Sequence, residues 1–146
     1  MNIINPLVNN TLFANASVLL ARFGLSAIFI LAGLNKIQYF DGNAQYMASA
    51  GLPSELLPLV IAFELIGGLF ILTGLLSRVT ALAFAGFSVV SAVLFHANLA
   101  DPMQFIMFFK NIAIAGGFLM LAAHGAGQWS IDQVLGNKVS TRKQTA

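Results

Sequence analysis

Four apolar stretches follow one another along this chain with little between them, from Ser17 to Leu34, Leu56 to Leu76, Val79 to about Phe95, and Phe105 to Ala123. Each is close to the roughly 20 residues that a helix needs to cross a hydrocarbon core about 30 Å thick. The pattern therefore predicts membrane-spanning helices over 17–36, 55–76, 78–97 and 104–124. Only Ser77 and Arg78 separate the second run from the third, which forces an antiparallel hairpin. The first loop is longer. Tyr39-Phe40 reads as an interfacial aromatic pair, Asp41-Gly42 as a turn, and Asn43 to Ala50 as a short surface helix ended by Gly51. Pro53-Ser54-Glu55 opens the next helix, and Pro58 falls in its first turns, where a missing N–H costs little. Beyond Gly125-Ala126-Gly127, the apolar residues Trp129, Ile131, Val134 and Leu135 predict an interfacial segment over 128–135. Residues 137–146 are polar and read as a disordered tail. The fold class is all-α: one domain over 1–136, a four-transmembrane-helix bundle.

Composition sharpens this reading. The hydrophobic fraction is 58% and the charged fraction 8%, against about 25% charged in a soluble domain. So few charges cannot clothe a water-soluble surface, so the first partner is a lipid bilayer. Residues 1–16 carry no Lys or Arg, so the first run is expected to stay as an anchor rather than be cleaved as a signal. Four spans place both termini on one side. Arg22, Arg78, Lys138, Arg142 and Lys143 fall on that side, and Lys36 and Lys110 on the other. That bias puts the termini in the cytoplasm and the first and third loops outside. The net charge of +2 is dispersed, which argues against a nucleic-acid partner. Cysteine is absent, which excludes dithiol chemistry, Cys-ligated iron–sulfur clusters and disulfides within this chain.

Charge at membrane depth is costly, so it faces the bundle interior and seeks a partner. Arg22, Ser26, Phe29, Gly33 and Lys36 are spaced 4, 3, 4 and 3 apart and share one helical face. Glu64, Gly67, Gly68 and Ile71 form a second face, acidic and thin; Lys110, Gly117 and His124, with Asn111 beside them, form a third. Glu64 lies roughly 12–15 Å below the outer helix end and Lys110 roughly 8–10 Å, at 1.5 Å per residue. The expectation is a buried cluster of Arg22, Glu64, Lys110 and Asn111 built on a Glu64–Lys110 pair. Lys36, Asp41, His96 and Asp101 gather near the outer surface, where Lys36 and His96 are candidates for holding a quinone headgroup. His96 and His124 stand about 30 Å apart along the fourth helix and cannot share one haem within a chain. Carboxylates and histidines are too scattered for a metal site, and no catalytic motif is visible.

The stretches ARFGLSAIFILAGLNKI, FELIGGLFILTGLLSRVTAL and FFKNIAIAGGFLML followed by GAGQWSID resemble the DoxX family of small bacterial membrane proteins over roughly residues 18–132. The shared landmarks are Arg22, Gly33, Lys36, Glu64, Gly67, Gly68, Arg78, Lys110 and Asn111, then Gly125, Gly127, Ser130 and Asp132. The resemblance implies a multi-pass protein of the bacterial inner (plasma) membrane and a link to quinone-dependent redox work.

Three functions fit these features. The leading expectation is a non-catalytic assembly or anchoring subunit of a membrane complex. The second is a membrane subunit of a quinone-linked oxidoreductase, which would need a soluble or membrane redox protein as electron carrier. The third is a small transporter or channel acting as a homo-oligomer.

Overall fold

The computed structural model describes residues 11–144, with side chains described as far as Asn137. The start of the chain and the basic side chains of Lys138, Arg142 and Lys143 lie outside the described residues. Among the described residues there are six α-helices: α1 (Thr11–Gln38), α2 (Phe40–Ser49), α3 (Leu57–Thr73), α4 (Ser77–Phe95), α5 (Pro102–His124) and α6 (Ile131–Gln144). A 3-10 turn, Ser54–Leu56, leads into α3. Among the described residues, four segments are long and apolar enough to cross a membrane: α1, the 3-10 turn with α3, α4 and α5. The surface helix of the first loop starts earlier than expected, at Phe40. The polar tail differs too: α6 carries it in helical form to Gln144. Its first turn holds Asp132, which complements the helix dipole, and no proline follows to break the helix.

At most 33% of any span's apolar window is buried within the chain. Leu20, Phe23, Leu31, Leu59, Val79, Ile106 and Met120 all point outward. This inverts the surface of a soluble protein and suits a lipid solvent. Inside, α1 packs chiefly on α3, and α4 on α5; the two pairs meet more sparsely. An aromatic cluster fills the seam. Phe29 stacks on Phe84 at 4.1 Å between centroids and meets Phe118 edge-on at 5.5 Å, while Phe63 meets Phe84 at 4.8 Å. Such pairs add about 0.5–1.5 kcal/mol each beyond area burial. Glycines permit the close approach. A Cβ on Gly67 would stand 2.7 Å from the Phe84 ring, and one on Gly33 would stand 2.8 Å from Leu65.

The two ends of the bundle are built differently. At one end lie the α3–α4 hairpin and the α5–α6 turn. Gly74 ends α3 in the left-handed region, with Leu75 N–H donating to Phe70 O, a Schellman ending. Leu76 follows at φ 48°, so two left-handed residues in succession reverse the chain. At the other end α2 lies across the mouth between α1 and α4, held by Met47 against Leu57 and Ile61.

Candidate functional site

The hairpin end is a lock of helix-terminal hydrogen bonds. Backbone groups freed at helix ends need partners where water is scarce. Buried Arg22 supplies them: its guanidinium donates to the Ile71 and Leu72 carbonyls at the end of α3, and to Ala126 and Trp129 in the turn before α6. Arg78 does the same for α5, donating to the Ala122 and Ala123 carbonyls. Asp132 caps α4 from a distance, accepting from Leu76 N–H, Ser77 N–H and the Ser77 hydroxyl at 2.6–2.9 Å. Burial alone would raise the Asp132 carboxyl, but the Ser77 and Leu76 donors and the charge of Arg22 hold it below the usual aspartate range. Ser130 closes the turn by donating to Gly127 O and accepting from Gln133 N–H. Arg22, Gly74, Arg78, Gly125, Gly127, Ser130 and Asp132 thus fasten helix ends to one another.

The opposite half holds the candidate site. Gly33 brings α1 close to α3, and one turn later Lys36 Nζ reaches both Glu64 oxygens at 2.9 Å. Glu64 is 3% exposed and the Lys36 side chain 23%. This pair forms the polar end of a cavity of about 380 Å³. Its remaining wall is mostly apolar: Leu57 and Val60 of α3, Phe87, Val90 and Leu94 of α4, and Tyr46 and Met47 of α2. Tyr46 stacks on Phe95 at 5.1 Å, closing α2 over the mouth. His96, at the end of α4, also lines the cavity, and its Nδ1 lies 2.7 Å from Gln104 Oε1. Val90 and Leu94 are exposed on the outside of the bundle, so the cavity has a thin wall facing lipid.

This arrangement corrects the expected Glu64–Lys110 pair. Glu64 is paired with Lys36 instead. Lys110 is exposed on α5, where its ammonium meets Met107 Sδ, and Asn111 donates to Met107 O within its own helix. The buried face of α5 is Ala115, Phe118 and Leu121, not the face marked by Lys110 and His124. Arg22 is buried as expected but serves carbonyls at the far end from Glu64. Of the outer candidates, Lys36 and His96 share the cavity. Asp41 is exposed on α2, and Asp101 is the N-cap of α5, accepting from Met103 and Gln104 N–H. Asn43 and Tyr46, which complete the cavity's mouth, escape the sequence reading. Their spacing with Met47 puts all three on one face of α2, a signal present in the short helix expected there, but nothing in the sequence says that this face turns toward a cavity. Among the described residues, no group of three or more His, Asp or Glu could hold a metal ion.

Comparison with known proteins agrees with this architecture. An Escherichia coli inner membrane protein, YqjF, is 48% identical over 124 residues, covering 85% of this chain and 95% of that protein. A second, inner membrane protein YphA from the same organism, is 37% identical over 124 residues, covering 80% and 88%. A Bacillus subtilis protein bearing the name "Putative oxidoreductase CatD" is 40% identical over 67 residues, covering 46% of this chain and 50% of its own. No solved structure matches the chain. The DoxX family model matches residues 17–97, and this inner-membrane protein belongs to the DoxX family.

Proposed function

We propose that this chain is the ligand-holding membrane subunit of a quinone-linked oxidoreductase assembly, taking a quinone-class ring into the cavity between α1, α2, α3 and α4. The single observation carrying this reading is the pairing of one polar end with apolar walls. An ammonium offers three donors; two of those of Lys36 go to Glu64, which leaves one for a ring carbonyl. Phe87 and Leu57 supply apolar wall for the ring, and the second nitrogen of His96 is uncommitted among the described residues. The thin wall at Val90 and Leu94 suits an apolar tail leaving into lipid. A volume of about 380 Å³ falls at the small end of the range for ligand sites. The name borne by the Bacillus relative favours the same reaction class. With no cysteine in the chain, electrons would pass to or from a partner protein's carrier.

A pure anchoring role needs no such cavity, and that moves the reading from anchor toward ligand-holding subunit. The test is quinone retained through purification in a mild detergent. His96→Ala removes a headgroup contact and Val90→Trp fills the wall; both should lower retained quinone severalfold at unchanged yield. Lys36→Ala is a poorer probe, because it strands Glu64. Wild-type protein carrying no quinone, and taking none up on addition, would return the reading to the anchoring role.

A further inference from the structure

A second cavity, about 330 Å³, opens at the hairpin end between the start of α4, the end of α5 and the first turn of α6. Its chemistry follows from which hydrogen-bonding groups are already used. Two of the acceptor groups on its wall, the Asp132 carboxylate and the Gln128 amide oxygen, are engaged. Asp132 receives three donors from Leu76 and Ser77. Gln128 Oε1 accepts from Asn15 Nδ2 at 3.1 Å. The Ser130 hydroxyl both donates and accepts. The donors are not exhausted. Arg78 commits only Nη1, to Ala122 O and Ala123 O, and its Nη2 and Nε have no acceptor among the described residues. Those two nitrogens lie over Gly125, at 3.2 and 3.4 Å from where a Cβ would stand, so the missing side chain keeps that edge of the guanidinium open. Fixing Oε1 of Gln128 on Asn15 leaves its amide NH₂ without an acceptor among the described residues. A wall whose carboxylate is already capped, and whose spare donors include a permanent cation with an open edge, complements an acceptor-rich anion.

We propose that this cavity is a binding site for a phosphate group, held by the free edge of Arg78 and the amide of Gln128. The shared chemistry is the phosphate oxygen set; its source is either a phospholipid headgroup at the bundle's end or a phosphate free in solution.

The test uses the full chain in maltoside detergent, titrated separately with inorganic phosphate and with dihexanoyl phosphatidic acid and followed by calorimetry. Binding of both ligands means that the phosphate alone suffices; binding of the lipid only assigns the site to a headgroup. Either result supports the site provided that Gln128→Glu weakens binding at least tenfold. That variant keeps an oxygen for Asn15 and leaves Arg78 on its carbonyls, while replacing the spare donor with a negative charge. Arg78→Gln should weaken binding at least as much; if its loss of the α5 cap unfolds the protein, Gln128→Glu decides alone. Failure of both ligands to bind the wild type, or wild-type binding by folded Gln128→Glu, overturns the proposal.

Discussion

At the scale of single residues, the Lys36–Glu64 pair and the exposed Lys110 make opposite predictions. Glu64 is nearly out of contact with any solvent, and both its oxygens rest on one ammonium. Removing either partner strands a buried charge, at a cost of about 3–5 kcal/mol, whereas replacing both with apolar residues is closer to neutral. Glu64→Leu and Lys36→Leu are therefore each expected to lower the melting midpoint in detergent strongly, and the double variant by less than the sum. Lys110→Ala, on an exposed side chain, should leave it almost unchanged. Strictly additive effects of the first two would mean that the pair does not couple. Asp132 adds a pH dependence whose direction follows from its position. Its carboxyl is held below the usual aspartate value, about 3.9 in the unfolded chain. The folded state thus prefers the ionised form. Its contribution is complete above the unfolded value and is lost as pH falls through the depressed folded one. Asp132→Asn should flatten that acid limb of a stability–pH curve. An unchanged limb would remove Asp132 from the lock at the hairpin end.

At the scale of elements, the hairpin between α3 and α4 stores the clearest strain. Leu76 sits at φ 48° with its side chain exposed, in a region that costs an L-residue roughly 1–2 kcal/mol. Leu76→Gly should relieve much of that and raise the melting midpoint, net of the entropy glycine brings to the unfolded chain. Gly74→Ala should do the reverse. Its φ is 71°, and a Cβ would stand 2.5 Å from the Ser130 Cβ and 3.0 Å from the Ala126 Cβ, pushing the two turns apart. Equal stability in both variants would show that the turn tolerates either backbone. Element faces were legible where polar and small residues coincide. The predicted stripe on α1 is the buried one, at Arg22, Ser26, Phe29 and Gly33, and so is that on α3, at Glu64, Gly67, Gly68 and Ile71. On α5 the same rule picked the face of Lys110 and His124, while Ala115, Phe118 and Leu121 are inside. Lipid explains the failure. Apolar residues cover the outside as well as the inside of a membrane bundle, so hydrophobicity does not distinguish the faces, and a lysine can turn its head toward the helix N-terminus. The lock at the hairpin end was out of reach for another reason: its acceptors are backbone carbonyls, which every sequence has, and only the fold says which of them lie near an arginine.

At the scale of the whole molecule, the two ends of the bundle divide the work. One end is fastened by Arg22, Arg78 and Asp132; the other keeps the ion pair, the first cavity and the covering helix α2. The four spans were legible from run length alone. The cavity was not, because it arises from the loose seam between the α1–α3 and α4–α5 pairs, and sequence does not report how tightly helix pairs meet. The direction in which these ends face is a prediction from the basic residues. Arg78 belongs to the end that carries the α3–α4 hairpin and the start of α6, and four spans would put the basic tail on the same side, whereas α2 and the α4–α5 loop lie at the other end. Loops rich in Lys and Arg stay in the cytoplasm. The fastened end is therefore expected inside, and the first cavity's mouth in the outer half of the membrane. Reporter fusions that are active on one side only should read cytoplasmic after residue 146 and at Arg78, and external near Gly42 and Pro102. The consequence for function is direct. A partner that exchanges electrons with a ring held above Glu64 would have to reach it from the outer leaflet or from its periplasmic surface. A phosphate at Arg78 would come from the cytoplasm or the inner leaflet. A cytoplasmic signal at Gly42 would exchange those two sides and place the partner's access on the inner face instead.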